Sequence, residues 1–155
     1  MFGSDPAPRG QTPILVTPPS VPVLTLAEAK KHLRVDHDED DAEIAAMVWA
    51  AAGELDPAFG GWLGRALRPQ VWRLTLARFP CGEIVLPFPP LLEVTSFDYT
   101  DPAGMTHSLV EDSGYRVLGR GGLGKAMLAP LYGQSWPAAR ADHDSVRITF
   151  TAGYP

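Results

Sequence analysis

The sequence predicts an α+β fold: two to three N-terminal helices, then an antiparallel sheet or hairpin region. Three observations predict it. Apolar residues recur at helical spacing through the first part of the chain, about 25–67. From there the period becomes two, because Trp72, Leu74 and Leu76 alternate with Arg73, Thr75 and Ala77 as in a half-buried strand. Asp101-Pro-Ala-Gly104 then has the composition of a hairpin turn between two such strands. A chain of 155 residues, 45% hydrophobic and 20% charged, suits one soluble domain with a usable core.

The elements follow in order. Residues 1–24 carry Pro6, Pro8, Pro13, Pro18, Pro19 and Pro22. Proline lacks the backbone donor that helix and sheet require, so this stretch reads as an extended arm outside regular structure and dispensable for folding. Two roles stay open for it, a flexible tail or an arm that orders against a partner. Residues 25–155 form the domain itself, with helices over about 25–67 and strands over about 70–152. Helix one opens on Thr25-x-x-Glu28, a capping box in which each side chain satisfies a backbone N–H. Leu26, Ala29 and Leu33 give it one narrow apolar stripe.

Helix two begins near Asp40 or Asp41, where acids suit the positive end of the helix dipole. Ile44, Met47, Val48, Ala51 and Leu55 recur along it, yet every residue from 44 to 52 is apolar. A helix apolar around most of its circumference is buried on more than one side. The second side is assigned to a neighbouring subunit, with Trp49 and Met47 as candidate interface residues. Asp56-Pro57 interrupts the helix and Gly60-Gly61 loosens the chain before Trp62–Leu67. Beyond β-periodic residues 70–76, strands are expected at 83–86, 92–99, 105–110, 115–118, 125–129 and 145–151. Prolines 87, 89 and 90 confine or end the first of these.

Charge restricts the function classes. The net charge is −5, and residues 26–43 hold seven acids against three bases. Tight sequence-independent binding of nucleic acid rests on Lys and Arg neutralising phosphates, and no basic stripe supplies them. No apolar run reaches the ~20 residues that span a bilayer, and no secretory signal opens the chain. Cys81 stands alone, which excludes an internal disulfide and suits synthesis in a reducing cytoplasm; its ordinary role is as a buried structural thiol.

Several patterns imitate chemistry without completing it. Gly119-Arg-Gly-Gly-Leu-Gly-Lys125 matches a dinucleotide fingerprint and most of a phosphate-binding loop. Both devices need a following helix whose N-terminus holds the phosphate, and position 126 is Ala where a magnesium-binding hydroxyl belongs. A glycine-rich hairpin tip fits better. Asp36, Asp38 and Asp40 imitate a calcium loop, but Asp41 and Met47 occupy the positions of its required Gly and bidentate Glu. The patch Asp36, Asp38, Glu39, Asp40 and Asp41 therefore reads as a helix-capping acidic turn. Histidines 32, 37, 107 and 143 lack metal-ligand spacing, and no serine sits in a nucleophile elbow. No catalytic residue, metal site or cofactor is expected. Trp72, Trp136 and the tyrosines suit core and interface anchoring, with Ser135-Trp136-Pro137 pinning a long loop.

The order of the short signatures is itself informative. Leu26-Ala-Glu-Ala-Lys30, the acidic turn Asp36–Asp41, an alanine-rich helix closing on Gly64-Arg-Ala-Leu67, and the terminal Thr151-Ala-Gly-Tyr154 follow in succession. That succession resembles the head–tail connector (adaptor) family of long-tailed double-stranded DNA phages and gene-transfer agents. The resemblance covers roughly residues 23–154. It implies a structural virion protein forming a homo-oligomeric ring, a dodecamer in the family's usual form. Its partners would be the portal protein on one side and a stopper or tail terminator on the other. DNA would pass through without specific binding, and the acidic patch would face that channel. The location implied is the virion neck, after synthesis in the bacterial cytoplasm. The family usually continues beyond this Gly-Tyr into a further portal-binding helix; whether that helix is absent, or the chain given is shorter than the gene product, stays open. The alternatives are another ring-forming neck component, a stopper or tail terminator, and a nucleotide-binding enzyme built on Gly119–Lys125.

Overall fold

The C-terminal strand lies at the centre of the main sheet. A computed structural model describes residues 12–155. Its elements are β1 (Thr12–Thr17), α1 (Leu26–Leu33), α2 (Asp41–Leu55), β2 (Gln70–Leu76), β3 (Ile84–Val85), β4 (Leu91–Thr100), β5 (Thr106–Ser108), β6 (Arg116–Leu118), β7 (Met127–Ala129) and β8 (Val146–Ala152). A five-stranded sheet has the order β1-β2-β8-β4-β5, and a three-stranded sheet the order β3-β7-β6. Every pairing is antiparallel. The helices thus precede most of the sheet, the α+β arrangement expected.

Strand periodicity creates the core. On β8, Val146, Ile148, Phe150 and Ala152 face inward, and on β2 Gln70, Trp72, Leu74 and Leu76 do. Register sets Phe150 against Trp72 and Ile148 against Leu74. Ile84 and Leu128 from the second sheet, and Leu86 just after β3, join the same buried cluster. The loop at 135–137 is held to it, because the Trp136 ring stacks on Phe79 with centroids 5.1 Å apart and its indole N–H donates to the Gly82 carbonyl. The turn at 101–104 closes the β4–β5 hairpin, with the Gly104 N–H donating to the Asp101 carbonyl at 2.9 Å.

Three expectations need correction. Residues 12–17 are not an unstructured arm but edge strand β1, with Pro13 opposite Leu74 and Leu15 packed against the core. An edge strand bonds on one side only, so it tolerates a proline, and Ile14-Leu-Val16 supplies β propensity. Pro18, Pro19 and Pro22 lie in the connection to α1, which is fastened by the Arg68 guanidinium donating to the Pro22 and Val23 carbonyls. Pro6 and Pro8 lie outside the described residues. Second, Trp62–Leu67 is irregular rather than helical, and only a 3₁₀ turn at Pro57–Phe59 follows α2. Third, Cys81 is exposed, because it sits in the bend between β2 and β3 rather than on an inward strand position.

A buried polar knot joins helices to sheet. Asp56 caps the end of α2, is 2% exposed, and its two carboxyl oxygens face only N–H donors. Oδ1 accepts from the Ala58 amide at 2.8 Å and Oδ2 from the Leu67 amide at 2.8 Å. The Gln70 side-chain amide donates to both at 2.9 and 3.0 Å, while its own oxygen accepts from the Trp72 indole at 3.1 Å. Charged acceptors with several donors make the stronger class of hydrogen bond, and removing one partner strands the others without water.

Asp56→Ala should therefore cost about 3 kcal/mol, lowering the thermal midpoint by roughly 10 °C in a chain of this size. Denaturant melts of the two proteins measure it, and a loss within experimental error would show that the knot is dispensable. Deleting residues 1–17 should destabilise by about 1–2 kcal/mol, since it uncovers β2 and removes Leu15. An unchanged melt would return β1 to the status of a dispensable arm.

Candidate functional site

The helical hairpin has only Ala29, Ile44 and Ala52 buried and carries most of the residues singled out from the sequence. Its first helix starts as the capping box requires. The Thr25 amide donates to Glu28 Oε2 at 2.8 Å, and the Glu28 amide donates to Thr25 Oγ1 at 3.2 Å. The Thr25 hydroxyl and amide hold the Glu28 carboxyl below its ordinary pKa. The helix ends at Arg34, in the left-handed region with φ 59°. The chain then turns through the acidic residues into α2.

One lysine organises that turn. Lys30 Nζ lies 2.6 Å from Asp38 Oδ1 and 2.6 Å from Asp41 Oδ1, clamping α1 to the turn and to the first residue of α2. The hydrogen bonds to Asp38 and then Asp41 raise the Lys30 pKa, and the same lysine lowers that of Asp38. The acidic patch is therefore two sets. Asp38 and Asp41 are partnered by a cation of the chain itself. Asp36, Glu39 and Asp40 are exposed, with His37 3.9 Å from Asp40. The N-cap Asp40 makes no side-chain cap hydrogen bond, contrary to the capping role read for it, because its carboxyl faces His37 and solvent.

Between α1 and α2 lies an open groove of about 360 Å³. Ala29, Ile44 and Ala52 are buried in it, and Leu24, Leu33 and Met47 stand half or more exposed at its rim. His32 is the only polar residue among those lining it. The α1 stripe thus has a buried member, Ala29, and an uncovered one, Leu33. Met47 is 57% exposed, whereas Trp49 is half-buried edge-on to Phe59 of the same chain, centroids 6.3 Å apart. The groove depends on Val23, Leu24 and Leu67 as well as the two helices, so periodicity within a single helix could not reveal it.

The two terminal signatures meet in space. Arg65 Nη1 donates to the Tyr154 hydroxyl at 2.7 Å, and Nη2 donates to the Leu123 carbonyl. Ala66 is wholly buried, and a Cβ on Gly153, whose φ is +128°, would overlap the Arg68 carbonyl. Gly64–Leu67 and Thr151–Tyr154 are thus two sides of one structural joint. The glycine loop at Gly119–Lys125 joins β6 to β7 with no helix after it, so it lacks the helix N-terminus a phosphate would need. Arg120 instead pairs with Glu111 and donates to the Leu92 carbonyl, while the Gly121 amide donates to the Leu91 carbonyl. Among the described residues no cluster of three or more His, Cys, Asp or Glu is placed to hold a metal ion.

No family model matches the sequence, and no curated protein matches it. Solved structures do. The chain is similar to one from the neck of an empty gene transfer agent (GTA) particle computed with C6 symmetry, at 26% identity, over 92% of this chain and 71% of that one, with a TM-score of 0.66. A chain of the virion of a native GTA particle matches at 27% identity over 92% and 71%, with a TM-score of 0.64. A chain of the neck of a native GTA particle computed with C12 symmetry matches at 25% over 91% and 70%, with a TM-score of 0.58.

The Lys30 clamp gives a signed pH dependence. Asp38 is shifted down, so its contribution is complete above the ordinary carboxylate pKa and is lost as pH falls through the lowered value. Lys30 is shifted up, so on the alkaline side the contribution is lost only as pH rises through the raised value. Lys30→Ala should therefore weaken amide-exchange protection of α1 at neutral pH, with the difference from wild type vanishing in acid and shrinking in high salt. A difference that persists in acid would mean Lys30 acts through packing instead.

Proposed function

We propose that this chain is a structural component of the neck of a gene-transfer-agent or phage-like particle, where copies stand side by side in a ring. The observation that carries the reading is the match to a chain of a GTA neck across 92% of the sequence at 26% identity. An alignment over that length reaches beyond the strands alone. The order of the sequence signatures supports the same reading independently, and the joint between Gly64–Leu67 and Thr151–Tyr154 gives those signatures a structural purpose.

Within the neck, the proposed position is that of the connector, between the portal protein and a stopper or tail terminator. Symmetry imposed at C6 and C12 on the matching assemblies supports a ring with many copies, of which a dodecamer is one. The exposed acids Asp36, Glu39 and Asp40 are proposed to face the DNA path, because like charge lets a polyanion slide where a basic lining would hold it. The role is assembly rather than catalysis. The glycine loop's use of Arg120 and Gly121 to brace β4 supports that assignment.

Native mass spectrometry of the purified chain, with and without a portal protein from the same particle, tests the proposal. The expected result is a closed ring, six- or twelve-fold, formed alone or on the portal. A monomer under both conditions, or a melting midpoint raised by Mg-ATP through specific binding, would refute it.

A further inference from the structure

The main sheet is left open along one edge of β4, and a slot of about 400 Å³ lies there. β5 covers β4 only over Asp98–Thr100. The Leu109 amide then donates to the Phe97 carbonyl, and the chain turns away through Glu111 and Tyr115. At the other end the Gly121 amide donates to the Leu91 carbonyl and Arg120 to the Leu92 carbonyl. The stretch between these ties, residues 93–96, is roughly 13 Å long. Closed at both ends, it is too short for an added strand and admits a side chain or a small molecule instead.

Two observations give the slot its chemistry. Tyr115 is 3% exposed and edge-on to Phe97, yet its hydroxyl has no hydrogen-bond partner among the described residues. No side-chain N or O among them is both sealed and unpartnered, so this hydroxyl opens into the slot that Tyr115 lines. Burial, with the Glu111 carboxylate adding to it, pushes the Tyr115 pKa up, so the group stays protonated. Second, the charged residues lining the slot are Asp98 and Glu111, with no Lys, Arg or His. Arg120 already pairs with Glu111. Asp98 is less committed: Oδ1 accepts from the Ser108 hydroxyl at 2.6 Å, and Oδ2 has no partner among the described residues. Its register partner is Arg147, whose guanidinium donates to the Asp144 carbonyl instead.

We infer that this slot takes an alkyl guanidinium or ammonium group, its charged head between Asp98 and Tyr115 and its methylene stem along Val94 and Leu109. A carboxylate oxygen and a part-desolvated hydroxyl are acceptors for charge-assisted hydrogen bonds. The apolar walls suit a stem that packs while its head stays polar. An anion would meet two carboxylates and no lining cation. The volume falls within the range of about 300–1,000 Å³ usual for ligand sites. Two sources carry this chemistry, an arginine side chain of a partner protein and a free amine, and the test separates them.

Calorimetric titration of the purified chain is that test, and it reads the same for a monomer or a ring. N-acetyl-arginine methylamide stands for a partner's side chain, agmatine for a free amine, and N-acetyl-citrulline methylamide is the uncharged isostere of the first. At least one cationic probe should bind saturably, the tighter of the two identifying the source, and the citrulline probe should not bind. Tyr115→Phe removes only a hydroxyl and Asp98→Asn only a charge. Each should weaken binding about tenfold, while Glu54→Gln on α2 leaves it unchanged. Thermal melts establish which variants keep the fold, and a variant that melts like wild type decides the matter alone. The inference is overturned if neither cation binds or if the citrulline probe binds equally well. It is also overturned if a folded Tyr115→Phe or Asp98→Asn chain binds like wild type, which marks an adventitious cation contact only.

Discussion

The architecture depends on one buried carboxyl. Asp56 ends α2, starts the 3₁₀ turn, fixes the return of the chain at Leu67 and accepts from Gln70 at the beginning of β2. Through Gln70 it also orients the Trp72 indole, and Trp72 lies against Phe88 in the core with centroids 4.3 Å apart. A helix pair that contacts the sheet mainly at its end has little apolar area to hold it there. The knot supplies direction instead, because each of its hydrogen bonds has a single satisfactory geometry once water is excluded. Two backbone crossings share its surroundings. A Cβ on Gly61 would overlap Leu55, and one on Gly153 would overlap Arg68, so both positions need glycine for close approach.

Seen from that knot, the recurrent short signatures are fasteners. Thr25 and Glu28 start one helix; Lys30 clamps the acidic turn; Arg65 ties the chain before β2 to the residues after β8. Even the glycine loop, the most enzyme-like segment in the sequence, spends its arginine and a backbone amide on bracing β4. A chain whose distinctive residues are committed to fastening its own elements to one another suits a part that must repeat identically around an axis. Exposed on the hairpin are an apolar groove and the acids that Lys30 does not hold, Asp36, Glu39 and Asp40 in the turn and Glu43 and Glu54 on α2.

Much of the fold was legible because the relevant signals are local. Alternation in Trp72–Leu76 and Val146–Phe150, the Thr25–Glu28 box and the Asp101–Gly104 turn each act within a few residues, and each element forms there. The illegible parts depend on partners far away in sequence. β1 was hidden by Pro13 and the prolines around it, since only its neighbour β2 reveals that a single-sided edge suffices. Asp56-Pro57 reads as a helix breaker, and nothing nearby announces that its carboxyl will be buried beneath Gln70. Of the acidic turn, the sequence shows the charge but not that Lys30 removes two of its members. The groove is invisible for the same reason, being assembled from Val23, two helices and Leu67.

The central claim is that this chain is a repeating structural part of a particle neck. Cryo-electron microscopy of intact particles carrying this chain, focused on the neck and reconstructed without imposed symmetry, tests it most directly. The account predicts a ring of copies in the neck, helical hairpins side by side and the Asp36–Asp40 turns toward the axis. A neck that lacks this chain, or holds a single copy off the axis, would contradict it.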